Sequence, residues 1–203
     1  MAPEETAPPP GTPDTHHRSR LLGAMATALA EQGYTAITIA DIVRHAGVSR
    51  RTFYEQFESK QACFEALYRA ASAAALRTLS DAIDPAQPWQ AHLETALEAY
   101  LGHLAAGPEL LRSLFVDIHH LGCEGAALRR ETMSHLASFM CETVNRGRDE
   151  AAASMGPQMG MAAVGAVNEL VLMAIEGGEA EHLARLAPVA VRIVRAIAGE
   201  ADA

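Results

Sequence analysis

The sequence predicts an all-α protein, with a small N-terminal three-helix domain containing a helix-turn-helix and a larger helical body behind it. Three observations carry this. The composition is 49% apolar but only 5% aromatic, and it is rich in Ala, Leu, Arg and Glu, all strong helix formers. Apolar residues recur at three- and four-residue steps along the chain, and β-branched runs are almost absent outside residues 35–43. Gly or Pro stands at the breaks between periodic segments. At 203 residues the chain is long enough to bury a core without covalent staples.

Taken in order, residues 1–15 contain Pro8, Pro9, Pro10 and Pro13 and read as a disordered tail with no secretory signal. A helix is expected from near His16, capped by Thr15 or Asp14, with Leu22, Met25 and Leu29 on one stripe and Gly33 at its end. Thr38 then caps a short amphipathic helix with Ile39, Ile42, Val43 and Ala46 on its apolar face. Gly47 supplies the turn, where a positive φ costs glycine little. Ser49 caps a second short helix, residues 50–56. Two short helices joined by such a turn define a helix-turn-helix. Ser59 opens a longer helix from Lys60. Further helices are expected over residues 89–105, 108–121, 126–145, 158–175 and 179–198, and the only ambiguity with a strand lies at residues 35–39.

Charge is distributed unevenly. The net charge is −9, which by itself opposes nucleic-acid binding. Residues 16–70, however, hold seven Lys/Arg against five Asp/Glu, whereas residues 71–203 hold nine against 17. Any group that touches phosphate therefore belongs to the first third. Cys63, Cys123 and Cys141 form no CxxC pair, so a disulfide framework and a zinc ribbon are both excluded, and each is expected to be a small buried residue. The apolar run 161–175, interrupted by Asn168 and Glu169, reads as too short and too polar for a membrane span. A cytoplasmic protein without a membrane partner is expected.

The stretch from Thr38 to Lys60 carries Thr38, Ile39-Ala40, Ala46-Gly47-Val48-Ser49, Thr52-Phe53-Tyr54, Phe57 and Lys60 at fixed spacing. In this it closely resembles the DNA-binding domain of TetR-family transcriptional regulators. The resemblance covers residues 16–68; residues 69–203 are similar in layout only. It implies a homodimeric repressor on double-stranded operator DNA, with a C-terminal ligand-binding and dimerisation domain that answers an unidentified small-molecule effector.

The residues support site roles by their chemistry as well. Thr38 turns a hydroxyl and helix-start N–H groups to solvent, a ready phosphate site. Arg50, Arg51 and Thr52 occupy the first turn after the Ser49 cap, the part of such a helix that enters a major groove. Arg50 suits a bidentate guanine contact, whereas Arg51 suits either a base or a phosphate. Tyr54 resembles the family tyrosine near the backbone, with Gln56 beside it. Lys60, the only lysine, is expected at phosphate, and Arg44 adds charge. Ile39, Ile42, Val43, Phe53 and Phe57 are core under any reading.

In the body, the segment 158–175 is apolar around nearly its whole circumference, so a partner subunit is the expected source of its second covering. Candidate effector contacts are Tyr100, His103, Phe115, Met133, Phe139, Asn168, Glu169 and Met173. The apolar ones are ordinarily core, and the polar pair Asn168–Glu169 serves equally well in an internal hydrogen bond. His119 and Cys123 have a metal-ligand spacing, but Gly122 is expected to end the helix between them, so no metal or other cofactor is predicted. No GxSxG, HExxH, Walker or GxGxxG signature points to an enzyme. Two alternatives stay open at this level: a regulator controlled by another protein instead of a ligand, and a helical enzyme or binding protein with a vestigial helix-turn-helix.

Overall fold

Every regular element in the computed structural model, which describes residues 13–146 and 154–199, is helical. The helix α1 (Pro13–Gln32) starts three residues earlier than its stripe suggests. Proline lacks the N–H that a first turn leaves unused, so Pro13 can open the helix. Asp14 and Thr15 therefore lie inside the helix and do not cap it, and the expected tail is helical from Pro13 on; residues 1–12 fall outside the described residues.

Next come α2 (Ile39–Ala46), α3 (Arg50–Gln56) and α4 (Lys60–Asp81). The chain divides into two compact units between Leu67 and Tyr68, inside α4. In the first unit Leu21, Met25, Ala28 and Leu29 of α1 are fully buried, whereas Leu22, expected on that stripe, is only half-buried. Ile37, Ile42, Phe53, Phe57 and Phe64 complete this core. Phe53 and Phe57 sit one turn apart with ring centroids 5.8 Å from each other. Removing either ring would cost about 3–5 kcal/mol, so α3 is anchored from beneath while its other face stays free.

The second unit holds α5 (Leu93–Ala105), α6 (Pro108–Val116), α7 (Gly122–Asn145), α8 (Pro157–Glu176) and α9 (Ala187–Ile197). Three expected helices turn out shorter, because part of each winds as 3-10 helix: Trp89–Ala91, Asp117–Leu121 and Ala180–Leu186. A three-residue and a 3.6-residue repeat look alike over so few residues. Gly122 takes a φ of 58° and starts α7 instead of ending α6. Cys123 is consequently exposed on the first turn of α7, contrary to its expected burial, and Cys141 is half-buried; Cys63 alone is fully buried.

Asn145 and Met155 bracket the segment between α7 and α8. The Asn145 amide donates to the Met155 carbonyl at 3.1 Å and accepts the Met155 N–H at 2.8 Å. α8 then buries Gly160, Ala163, Val164, Val167, Val171 and Ile175 along one stripe against α7 and α9. Outside that stripe Met159, Glu169 and Met173 are exposed, and Met161, Leu170 and Leu172 are half-buried. The full 20 residues of α8 are long and apolar enough, by length and composition alone, to cross a membrane, which corrects the judgement made on residues 161–175.

Candidate nucleic-acid interface and interior cavity

The helix-turn-helix is assembled from local signals. The Thr38 hydroxyl accepts the Asp41 N–H at 3.3 Å, and the Asp41 carboxylate accepts the Thr38 N–H at 3.0 Å and hydroxyl at 2.7 Å, a complete capping box. These bonds, with the Arg44 guanidinium 3.1 Å away, pull the Asp41 carboxyl down to about 2. Gly47 closes α2 in the left-handed region at φ 61°. Ser49 caps α3 by accepting the Thr52 N–H at 3.0 Å.

What this presents to solvent is the N-terminal turn of α3. Arg50 is exposed and, among the described residues, has neither ion pair nor hydrogen bond to protein. Arg51 is also exposed, but its Nε donates to Glu55 at 2.9 Å. Tyr54 stands 57% exposed, far above what a core aromatic shows. Thr52 and Gln56 are half-buried. Arg44 is two-thirds exposed and paired to Asp41. Ser49, Arg50, Arg51, Thr52 and Tyr54 are thus gathered at one helix, with Thr38 and Arg44 on α2.

Lys60 stands apart. Its ammonium donates to the carbonyls of Tyr34 at 2.8 Å and Ile37 at 2.9 Å and lies 4.3 Å from the Tyr34 ring centre. Burial lowers its pKa. Two of its three donors therefore close the loop between α1 and α2. Two further arginines, absent from the sequence reading, brace the same unit from α1. Arg18 covers the Phe57 ring at 4.4 Å and donates to the Gln56 carbonyl, and Arg20 donates to the carbonyls of Ala46 and Gly47. Both are exposed on α1 outside its buried stripe, and nothing in the sequence marks their partners.

In the second unit a cavity of about 330 Å³ opens among α4–α8. Five of the candidate effector contacts, Tyr100, His103, Phe115, Met133 and Asn168, line it. Phe139 lines a separate, smaller apolar space with Trp89 and Thr143. Glu169 and Met173 are exposed, Met173 by 61%. Neither lines the cavity, because Glu169 points about 100° and Met173 about 140° away from Asn168 on a helix of 3.6 residues per turn. Tyr68, Ser72, Arg129 and Thr132 also line the cavity and went unnoticed in the sequence. Among the described residues no three His, Cys, Asp or Glu side chains converge as metal ligands would.

Residues 21–67 match the family described as bacterial regulatory proteins, tetR family. No curated protein matches the chain significantly in sequence. Among solved structures, the fatty acid degradation regulator FadR from Bacillus halodurans is similar with a TM-score of 0.72 at 16% identity, over 92% of this chain and 96% of that one. Salmonella enterica GusR is similar with a TM-score of 0.67 at 20% identity, over 93% and 98%. A TetR-like transcriptional regulator from a Rhodococcus species gives 0.65 at 19%, over 91% and 97%.

Proposed function

We propose that the chain, whose residues 21–67 match the tetR family of bacterial regulatory proteins, is a DNA-binding transcriptional regulator that acts in the cytoplasm as a homodimeric repressor and is released from its operator by a small organic effector. The observation that carries the DNA half of this reading is Arg50: an exposed guanidinium, unpartnered among the described residues, on the first turn of a helix that Phe53 pins to the core. Such a group is free for a bidentate contact to a guanine edge, while Thr38, Arg44 and Tyr54 are placed to meet the backbone.

The dimer reading rests on α8 and α9. Met159, Met173 and Val189 are large apolar residues left 46%, 61% and 37% exposed, the kind of surface a second copy covers. Twofold symmetry would also set two recognition helices about 34–36 Å apart, one turn of the duplex. The effector reading rests on the cavity, to which α4 contributes Tyr68 and Ser72. An occupant releases DNA only by its differential affinity for the two geometries, and moving the population from mostly bound to mostly free requires about 5.5 kcal/mol.

The test is a gel shift on the DNA upstream of the coding sequence with the wild type and an Arg50→Ala/Arg51→Ala variant. Binding that the variant loses supports the reading. Equal binding by both removes α3 from the reading helix.

A further inference from the structure

Four helices bring polar side chains to the interior cavity: Tyr68 and Ser72 on α4, Tyr100 on α5, Arg129 and Thr132 on α7, and Asn168 on α8. Among the described residues none of the six makes a hydrogen bond or an ion pair with another protein group. All six are half-buried and border the cavity, so their unused donors and acceptors are open to whatever enters it. The contrast with a neighbouring cation is direct: Arg69 and Glu131, also on α4 and α7, pair at 2.9 Å. Among the described residues Arg129 has no such carboxylate, and no Asp or Glu lines the cavity.

The phenols add donors. Burial pushes Tyr100 up to about 12 and raises Tyr68, with the Arg129 charge acting against the rise at Tyr68. Both hydroxyls stay protonated at neutral pH and have no acceptor among the described residues. A cation and two O–H donors facing the same enclosed space form an acceptor-seeking end. The remainder of the space is apolar. Leu110, Leu111, Leu114 and Met133 line it, and a smaller cavity bounded by Leu97, Met140, Val164 and Val171 shares Tyr100, Phe115, Leu136 and Asn168 with it. One end is thus cationic and hydrogen-bonding, and the other continues as hydrocarbon.

Resting on the reading of this cavity as the effector site, we propose that its occupant is an amphipathic organic anion, with an acidic group on Arg129 and the Tyr68 and Tyr100 hydroxyls and an aliphatic or aromatic body in the apolar space. A neutral or cationic molecule of the same shape leaves Arg129 without a counter-charge and binds more weakly. His103, Ala106 and Gly107, all exposed, mark the mouth.

Calorimetric titration of the full chain with octanoate, phenylbutyrate, octanol and octylamine tests this. Octanoate or phenylbutyrate is expected to bind at least about tenfold more tightly than octanol, the scale of one charge-assisted hydrogen bond, with octylamine weakest. Arg129→Gln should bring the carboxylates down to the octanol level and leave octanol itself unchanged, which shows the cavity intact; Arg129→Lys should keep part of the preference. The proposal is overturned if neither carboxylate binds, if octanol or octylamine binds as well, or if the preference survives in Arg129→Gln. A parallel gel shift separates the two claims. Arg129-dependent carboxylate binding without operator release removes the effector reading and leaves the anion site standing. Release of DNA by octylamine does the reverse.

Discussion

The Arg20 guanidinium donates to the Gly47 carbonyl at 3.2 Å, and a Cβ placed on Gly47 would lie 2.8 Å from the same nitrogen. The turn of the helix-turn-helix is therefore held from outside by α1 as well as by its own geometry. With φ at 61°, any side chain at this position adds the left-handed penalty of roughly 1–2 kcal/mol. Gly47→Ala should destabilise the chain by about that amount in urea unfolding, with Arg20 displaced at little extra cost because its end is flexible. An unchanged midpoint would contradict the left-handed turn.

Arg50 and Arg51 are predicted to behave differently on DNA. Arg50→Ala should cost about 1–3 kcal/mol of operator affinity and relax sequence preference. Arg51 is held by Glu55, an exposed pair that itself contributes little to stability. Glu55→Gln frees that guanidinium and removes a negative charge beside the duplex. Operator affinity should rise, and the salt slope should steepen by about one phosphate contact. Fluorescence anisotropy at several salt concentrations measures both, and a weakened Glu55→Gln variant would show that the pair positions Arg51 for binding.

Asp41 makes the first unit acid-sensitive in a defined window. Its carboxyl titrates at about 2 in the folded chain against an ordinary 3.8, so the charged form is the one the fold favours. The stability this gives is fully present above pH 3.8 and is lost as pH falls through about 2. Asp41→Asn should be less stable at neutral pH and flatter than the wild type across that window. Following helicity by circular dichroism during acid titration checks this, and parallel curves would sink it.

Gly160 lets α8 approach α7. An added Cβ would lie 2.5 Å from the Cys141 sulfur and 3.0 Å from the Ala137 carbonyl oxygen. Gly160→Ala should destabilise by about 1–3 kcal/mol through overpacking. Cys141→Ala in the same chain should recover part of this, since the backbone carbonyl stays in place. Thermal unfolding of the two single variants and the double variant gives the coupling directly.

How legible these features are in the sequence follows from the distance over which each is encoded. The Thr38 cap, the Gly47 turn and the Ser49 cap are read from residues three or four apart, and all appear where the pattern puts them. Lys60 to Tyr34 and Arg20 to Gly47 span 26 and 27 residues. No period relates such partners, so the carbonyl clamp and the α1 braces are visible only in three dimensions. The cavity is a similar case. Tyr100 and Phe115 could be named as aromatic residues on core-facing helices, but Arg129 reads in the sequence as an ordinary surface arginine beside Arg130. Exposed Glu169 and Met173 show the opposite error, since an apolar run says that a helix is covered without saying by what.

The carbonyl clamp at Lys60 also bears on how the protein can be interrogated chemically. As the sole lysine of the sequence, with two of its hydrogens donated to backbone oxygens, it gives acylating reagents one side-chain amine, and that amine must leave its two carbonyl contacts in the loop between α1 and α2 to be acylated. A single mass increment at that position would therefore time the opening of the corner on which the reading helix depends, without a fluorophore or an engineered tag.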